Sequence, residues 1–411
     1  MRRLLLILLV LGISRIDAPQ PAGAAEKQTQ PRFELRDGDR VVLLGNTLVE
    51  RAQKYGHWET LLTARFPRRN VIFRNLGWSG DTVWAESRGL FDAPVKGYQR
   101  MLAHIGKLKP TVIFLGYGGN EAYAGRRGLA AFLKQYDRLI DDLTAASAPG
   151  VRFVILSPIQ HENLGPPLPD PAEINRKLAL YTRALREIAR RRGCRFIDLY
   201  SSWKLLPLDV AAHLPRKAMN HLTDDGMHLT PAGYFVTGVR IMHSLSLLKP
   251  AVDVRLTTQG RITRATGAKL SRINTAGGRL SFQFRADTLQ RSVDRFQIDG
   301  APVVGFTLRI DGKRAVSATG RQWASGVVLA DSPDFRQWER LRKTIIEKNR
   351  FYFYRWRPQN VTYLFLFRKH EQGQNAKEVP QFDKFVAAKE KEIVRLRQPV
   401  AHSDELIPIN K

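Results

Sequence analysis

The chain has 411 residues, 43% of them hydrophobic and 9% aromatic, enough for one large buried core and a second, smaller one. Its net charge of +28 points to an anionic partner such as nucleic acid, an anionic membrane surface or an acidic polymer. The charge is divided evenly between residues 1–250 and 251–411, and no basic run forms a separate arm, which argues against nucleic acid. The single cysteine, Cys194, excludes an intramolecular disulfide and a CxxC metal site.

In chain order, "MRRLLLILLVLGI" has a basic start and a short apolar run, and "PAGAAEK" supplies small residues of cleavage-site type. Residues 1–24 are expected to be a signal peptide cut near Ala24 or Ala25, with a periplasmic or secreted product. The apolar run is too short for a membrane span, and no later stretch offers a transmembrane segment. Residues 31–250 then alternate short apolar runs with helical ones. "RVVLLG" (40–45), "NVIFRNLG" (70–77), "TVIFLGYG" (111–118), "VRFVILSP" (151–158) and "CRFIDLY" (194–200) read as five strands. "LVERAQKYGHWETLLTARF" follows the first at helical spacing, and a last helix starts at "TPAGYFVTGVRIMHSL". Five apolar strands separated by helices predict a parallel sheet covered on both faces. The period changes to two near Lys249-Pro250. "GRLSFQF" and "VVGFTLRIDGKRAV", with an Asp311-Gly312 turn, predict a small β domain over 251–327. Residues 328–411 read as a helical segment broken by the aromatic and arginine-rich "FYFYRWRPQN". That segment is expected to dock near the rim of the first domain's cleft.

In an open parallel α/β sheet, ligands bind beyond the carboxyl ends of the strands. Those ends carry Gly45-Asn46-Thr47, "NLGWSGDT" (75–82), "GYGGNEA" with Asn120 and Glu121, "SPIQHENLG" with His161, and "LTDDGMHLT" with Asp225 and His228. A hydroxyl nucleophile needs an imidazole to take its proton, which His228 can do. Asp225, three residues earlier in a tight loop, can hold the ring tautomer. Fixed donors for an oxyanion are offered by the Asn120 amide, the Gly77 N–H and the N–H of residue 47. Asn46, Glu121, His161 and Trp356 are candidate substrate contacts, with Trp356 between Arg355 and Arg357 able to stack on a sugar ring.

The blocks "GNTL", "NLGWSGDT", "GGNEA" and "DDGMHLT", in this order and each after the appropriate strand, resemble those of the SGNH (GDSL-type) hydrolase family over residues 38–248. The chain is similar to secreted, multi-domain bacterial members. The resemblance implies a three-layer α/β/α flavodoxin-like fold and ester hydrolysis without a cofactor or metal, the substrate being a small-molecule or polysaccharide ester. It places Thr47 at the nucleophile position, Gly77 and Asn120 at the oxyanion positions, and Asp225 and His228 as the Asp-His pair. Three residues depart from the pattern: Thr47 stands for serine, Asn46 for aspartate and Glu121 for aspartate. A threonine nucleophile acting on a carbohydrate ester is the leading expectation. The alternative is a catalytically impaired protein of this fold that binds a saccharide or acidic polymer, and Ser79 is a substitute nucleophile.

Overall fold

A computed structural model describes residues 33–202, 220–249, 251–289, 294–329, 331–371 and 375–409. The expected signal peptide lies outside the described residues. Five parallel strands, β1 (Arg40–Gly45), β2 (Ile72–Gly77), β3 (Val112–Gly116), β4 (Arg152–Leu156) and β5 (Arg195–Ile197), form one sheet in the order β2-β1-β3-β4-β5. This is the flavodoxin-like order, with its switch point between β1 and β3. Successive residues of β1 point to opposite faces. Val41 and Leu43 enter a core with α2 (His57–Arg65) and α6 (Pro231–Ser244). Val42 and Leu44 enter another with α3 (Pro94–Leu108), α4 (Gly125–Ala146) and α5 (Ala172–Arg191). Burial on both faces explains why these strands read as continuous apolar runs.

The helical run after β1 is two helices rather than one. α1 (Thr47–Tyr55) ends at Gly56, whose φ of +70° caps it and turns the chain into α2. A β-carbon there would lie 2.9 Å from the Ile346 side chain of α8 (Pro333–Trp356), so only glycine permits both the turn and this close approach. α2 is buried on nearly every side, because α6 and α8 cover the faces that the sheet leaves. At this junction Lys348 of α8 pairs with Glu59 of α2 at 2.7 Å, and both side chains are buried.

Strands from within 253–329, together with one at 402–408, form the two sheets of a sandwich. One has the order β13-β10-β6-β7 and the other β12-β11-β14-β9-β8. The first joins β6 (Asp253–Thr257), β7 (Ile262–Thr266), β10 (Asp294–Asp299) and β13 (Val327–Leu329). The second joins β8 (Ala268–Ala276), β9 (Arg279–Ala286), β11 (Phe306–Ile310), β12 (Lys313–Ala318) and β14 (His402–Pro408). Alternate residues such as Phe282, Phe284, Phe296 and Leu308 fill the space between them. The C-terminal segment is not helical throughout. After α7 (Gly320–Ser325), β13, α8 and α9 (Phe382–Leu396), the chain returns as β14 between β9 and β11, in the middle of the second sheet. α8 and α9 are thus a helical excursion from the sandwich that packs on the α/β layers. Among the described residues no helix is long and apolar enough to cross a membrane.

Candidate active site

The carboxyl ends of β1, β3 and β4 and the loop before α6 surround a cleft of about 130 Å³. Thr47, Asn46, Asn120, His161 and His228 all line it. Asn46 is buried, and its side chain accepts the Leu48 N–H at 3.1 Å, capping α1. Thr47 is therefore the first residue of α1, at the helix end that carries partial positive charge. No described residue accepts the Thr47 backbone N–H.

His228 and Asp225 sit in a tight loop closed by the Asp224 N–H to His228 carbonyl bond at 2.8 Å. Asp225 Oδ2 lies 2.6 Å from His228 Nδ1, and Oδ1 accepts the His228 and Met227 N–H groups at 2.8 and 3.1 Å. Burial pushes the Asp225 carboxyl up. The hydrogen bonds from the His228 ring and from the two backbone N–H groups outweigh it and lower the carboxyl to about 2. An ionised carboxylate against Nδ1 keeps the proton there and leaves Nε2 as the basic nitrogen. The loop is itself held from behind by the buried Glu162 carboxylate, which accepts the Leu222 and Thr223 N–H groups at 3.0 Å and the Thr223 hydroxyl at 2.7 Å. Beside it, burial lowers the His161 imidazole below its ordinary range, partly opposed by Asp225 and assisted by His228, so His161 meets the cleft as a neutral group.

Asn120 donates one amide hydrogen to the Asp81 carbonyl at 2.8 Å, which leaves the other for the cleft. Gly77 does not act as expected. Its N–H donates to the Asn75 side-chain oxygen at 2.8 Å, and a β-carbon on it would lie 2.2 Å from the Glu50 backbone nitrogen. Gly77 is glycine so that α1 can press onto the end of β2. The donor facing the site is instead Gly80, which donates its N–H to Thr47 Oγ1 at 3.0 Å. Both glycines are visible in "NLGWSGDT". Only the close packing of α1, which no local pattern encodes, separates the structural one from the donor.

Two further expected contacts are not brought to the cleft. The Glu121 carboxylate turns inward and accepts the Val83 and Gly118 N–H groups at 2.9 and 2.8 Å, tying two site loops together. Burial, opposed by these bonds, raises it to about 7. Trp356, at the end of α8, packs edge-on against Trp78 with centroids 5.8 Å apart and against His104 of α3. The neighbouring Arg357 is the more telling residue. Its guanidinium lies 3.6 Å from the Trp78 ring centroid and 2.8 Å from Glu50 Oε2, the oxygen that also accepts the Ser79 N–H. The loop 78–80 that presents the Gly80 donor is thereby clamped by the C-terminal helix. Ser79 is exposed and does not line the cleft. Among the described residues no group of His, Cys, Asp and Glu is placed to hold a metal ion.

Residues 41–235 match the model of the GDSL-like lipase/acylhydrolase family. No curated protein matches the chain. Among solved structures, a gut microbial diltiazem-metabolizing enzyme superposes with a TM-score of 0.70 at 15% identity, over 92% of this chain and 99% of that one. That likeness extends through the sandwich and the C-terminal helices and is one of fold. Looser matches include the acetylxylan esterase Axe2 from Geobacillus stearothermophilus, with a TM-score of 0.37 and 15% identity over 52% of this chain and 96% of that one. Another is a GDSL-like lipase from Bacteroides thetaiotaomicron, with a TM-score of 0.30 and 18% identity over 51% of this chain and 88% of that one.

Proposed function

We propose that the chain is a member of the GDSL-like lipase/acylhydrolase family, whose model residues 41–235 match, and that it hydrolyses short-chain esters of carbohydrates with Thr47 as nucleophile. The observation that carries this reading is that Thr47, Asn120 and His228 line one cleft, with the Asp225 carboxylate 2.6 Å behind the imidazole. His228 Nε2 takes the Thr47 hydroxyl proton as Oγ1 attacks the ester carbonyl. The oxyanion is received by the Thr47 N–H, the second Asn120 amide hydrogen and the Gly80 N–H, which moves from Oγ1 to the oxyanion on the same carbon. His228 returns the proton to the departing alcohol. A water, deprotonated in the same way, then frees the acid from the acyl-threonine.

Cleft size supports a small acyl group. Pockets that enclose drug-sized ligands span roughly 300–1,000 Å³, against about 130 Å³ here. The polar groups of Asn46, Asn120, Tyr123 and His161 around it suit an alcohol rich in hydroxyls. The test is turnover of p-nitrophenyl acetate and octanoate, followed by a panel of acetylated polysaccharides. The acetate should be hydrolysed in preference to the octanoate, Thr47→Ser should keep or raise the rate, and Thr47→Ala should abolish it. Parental turnover by Thr47→Ala would overturn the assignment. Saccharide binding without turnover, by both the parent and Thr47→Ser, would make the chain a binding protein instead.

A further inference from the structure

A second concavity, of about 550 Å³, lies where the α/β layers meet the sandwich. Arg68 and Arg69 reach it from the loop before β2, and Arg65 from the end of α2. Lys249 comes from the segment after α6, Lys269 from β8 and Arg285 from β9. The loop before β2 is at the amino end of the parallel sheet, so this groove and the catalytic cleft are at opposite ends of the strands. Among the described residues that line it, Asp287 is the only carboxylate.

Cations elsewhere on this chain are commonly paired, as Arg74 is with Glu390 and Arg152 with Asp39, and within the groove Arg69 pairs with Glu34. Arg65, too, is engaged, donating to the Leu247 carbonyl at 2.8 Å. The side chains of the exposed Arg68, Lys249, Lys269 and Arg285 make no ion pair or hydrogen bond among the described residues. Lys269 and Arg285 are also direct cross-strand partners on β8 and β9. Like charges in that position repel and cost stability unless an anion lies between them. Four unpartnered cations from separate elements call for a ligand whose charges are spread along it rather than held on one phosphate. The groove offers no ring for base stacking, because its aromatic residue, Phe66, is buried with the Arg65 and Arg69 guanidiniums 5.0 and 4.9 Å from its centroid. Pro67, which is half-buried, instead gives a small apolar surface suited to the C–H face of a sugar ring, while Ala286 and Pro399 are buried like Phe66.

We propose that this groove binds an acidic oligosaccharide, with its carboxylate or sulfate groups against Arg68, Lys249, Lys269 and Arg285, at a site separate from the catalytic cleft. The proposal does not depend on the chemistry of Thr47. Binding is therefore measured by calorimetry at low salt on the full chain carrying Thr47→Ala. The probes are an oligogalacturonate, a heparin-derived tetrasaccharide, tripolyphosphate and a thymidine oligonucleotide.

At least one of the two saccharides should bind. Lys269→Gln with Arg285→Gln, and separately Arg68→Gln with Lys249→Gln, should each weaken that binding about tenfold or more, the loss expected for charged hydrogen bonds. The charge-matched control Lys107→Gln with Lys134→Gln should change it less than about twofold, since it touches only diffuse attraction. Turnover of p-nitrophenyl acetate by the Lys269/Arg285 variant with Thr47 intact should equal the parent's. Equal losses in groove variants and control, no saccharide binding, or tighter binding of tripolyphosphate or oligonucleotide through the same residues would overturn the proposal.

Discussion

Threonine at position 47 differs from serine by one methyl group, and that group restricts the χ1 angle of the proposed nucleophile. Here the restriction coincides with a constraint from outside, because the Gly80 N–H already holds Oγ1 at 3.0 Å. Under the proposed mechanism, removal of the proposed base or of its carboxylate partner should be costly. His228→Ala should lower kcat/KM for p-nitrophenyl acetate by about 10²–10⁴-fold, the usual worth of a general base. Asp225→Asn should approach the upper end, about 10⁴-fold, because an amide stabilises the wrong imidazole tautomer. An unchanged rate in either variant would assign the proton transfer to another residue. Asp225, lowered to about 2, has a depressed folded-state pKa. Its stabilising effect is complete above the ordinary carboxylate range and is lost only as pH falls through about 2, so it stays ionised wherever the enzyme works.

At the scale of elements, the catalytic loops are short and their geometry is set by what lies behind them. Arg357 caps α8, stacks on Trp78 and pairs with Glu50, and Glu50 takes the Ser79 N–H. Arg357→Ala should therefore lower kcat by about 10- to 100-fold, the effect of a small misplacement of a donor, while KM moves less. Arg357→Lys should recover only part of it, since an ammonium lacks the planar stack. Equal kcat in the parent and Arg357→Ala would reduce the clamp to packing. The strands, and the placing of Thr47, Asn120 and His228 about one cleft with Asp225 behind the imidazole, were legible in the sequence because period and turn residues mark where each strand stops. The roles of Gly77, Gly80, Glu121 and Trp356 were not. Each is decided by a neighbour far along the chain: α1 for Gly77 and Gly80, Val83 for Glu121, and α3 for Trp356. Likewise, the break at Gly56 follows from the approach of α8, nearly 300 residues later in numbering.

Across the whole molecule, the sandwich is closed by its last strand, and β14 brings a charged cluster into the interior. Asp404 on β14 is almost fully buried, and neither of its oxygens has a hydrogen-bond partner among the described residues. It faces Asp294 of β10, Asp334 at the start of α8, Asp311 of the β11–β12 turn and His402. Burial raises Asp404 to about 8, against the attraction of His402. Burial, then the Asp334 charge, raises Asp294 to about 7. The Asp334 and then the Asp311 carboxylates raise His402 to about 9 despite its burial. All three folded-state values lie above the unfolded ones, so each contribution is complete below the unfolded pKa and is lost as pH rises through the folded one. The melting temperature should accordingly fall by several degrees between about pH 5 and pH 9, and Asp404→Asn should flatten that fall in scanning calorimetry. A parent curve that is level, or that rises with pH, would contradict the cluster's role. None of this was readable in "AHSDELIP", because the alternation shows only that Asp404 points inward and not what it meets there.

The nucleophile can be identified most directly by treating the whole chain with a fluorophosphonate and mapping the adduct by peptide mass spectrometry. A single adduct on Thr47, absent from Thr47→Ala and retained by Thr47→Ser, is the expected result. An adduct on Ser79, or an unlabelled chain that still hydrolyses p-nitrophenyl acetate, would show that Thr47 is not the nucleophile.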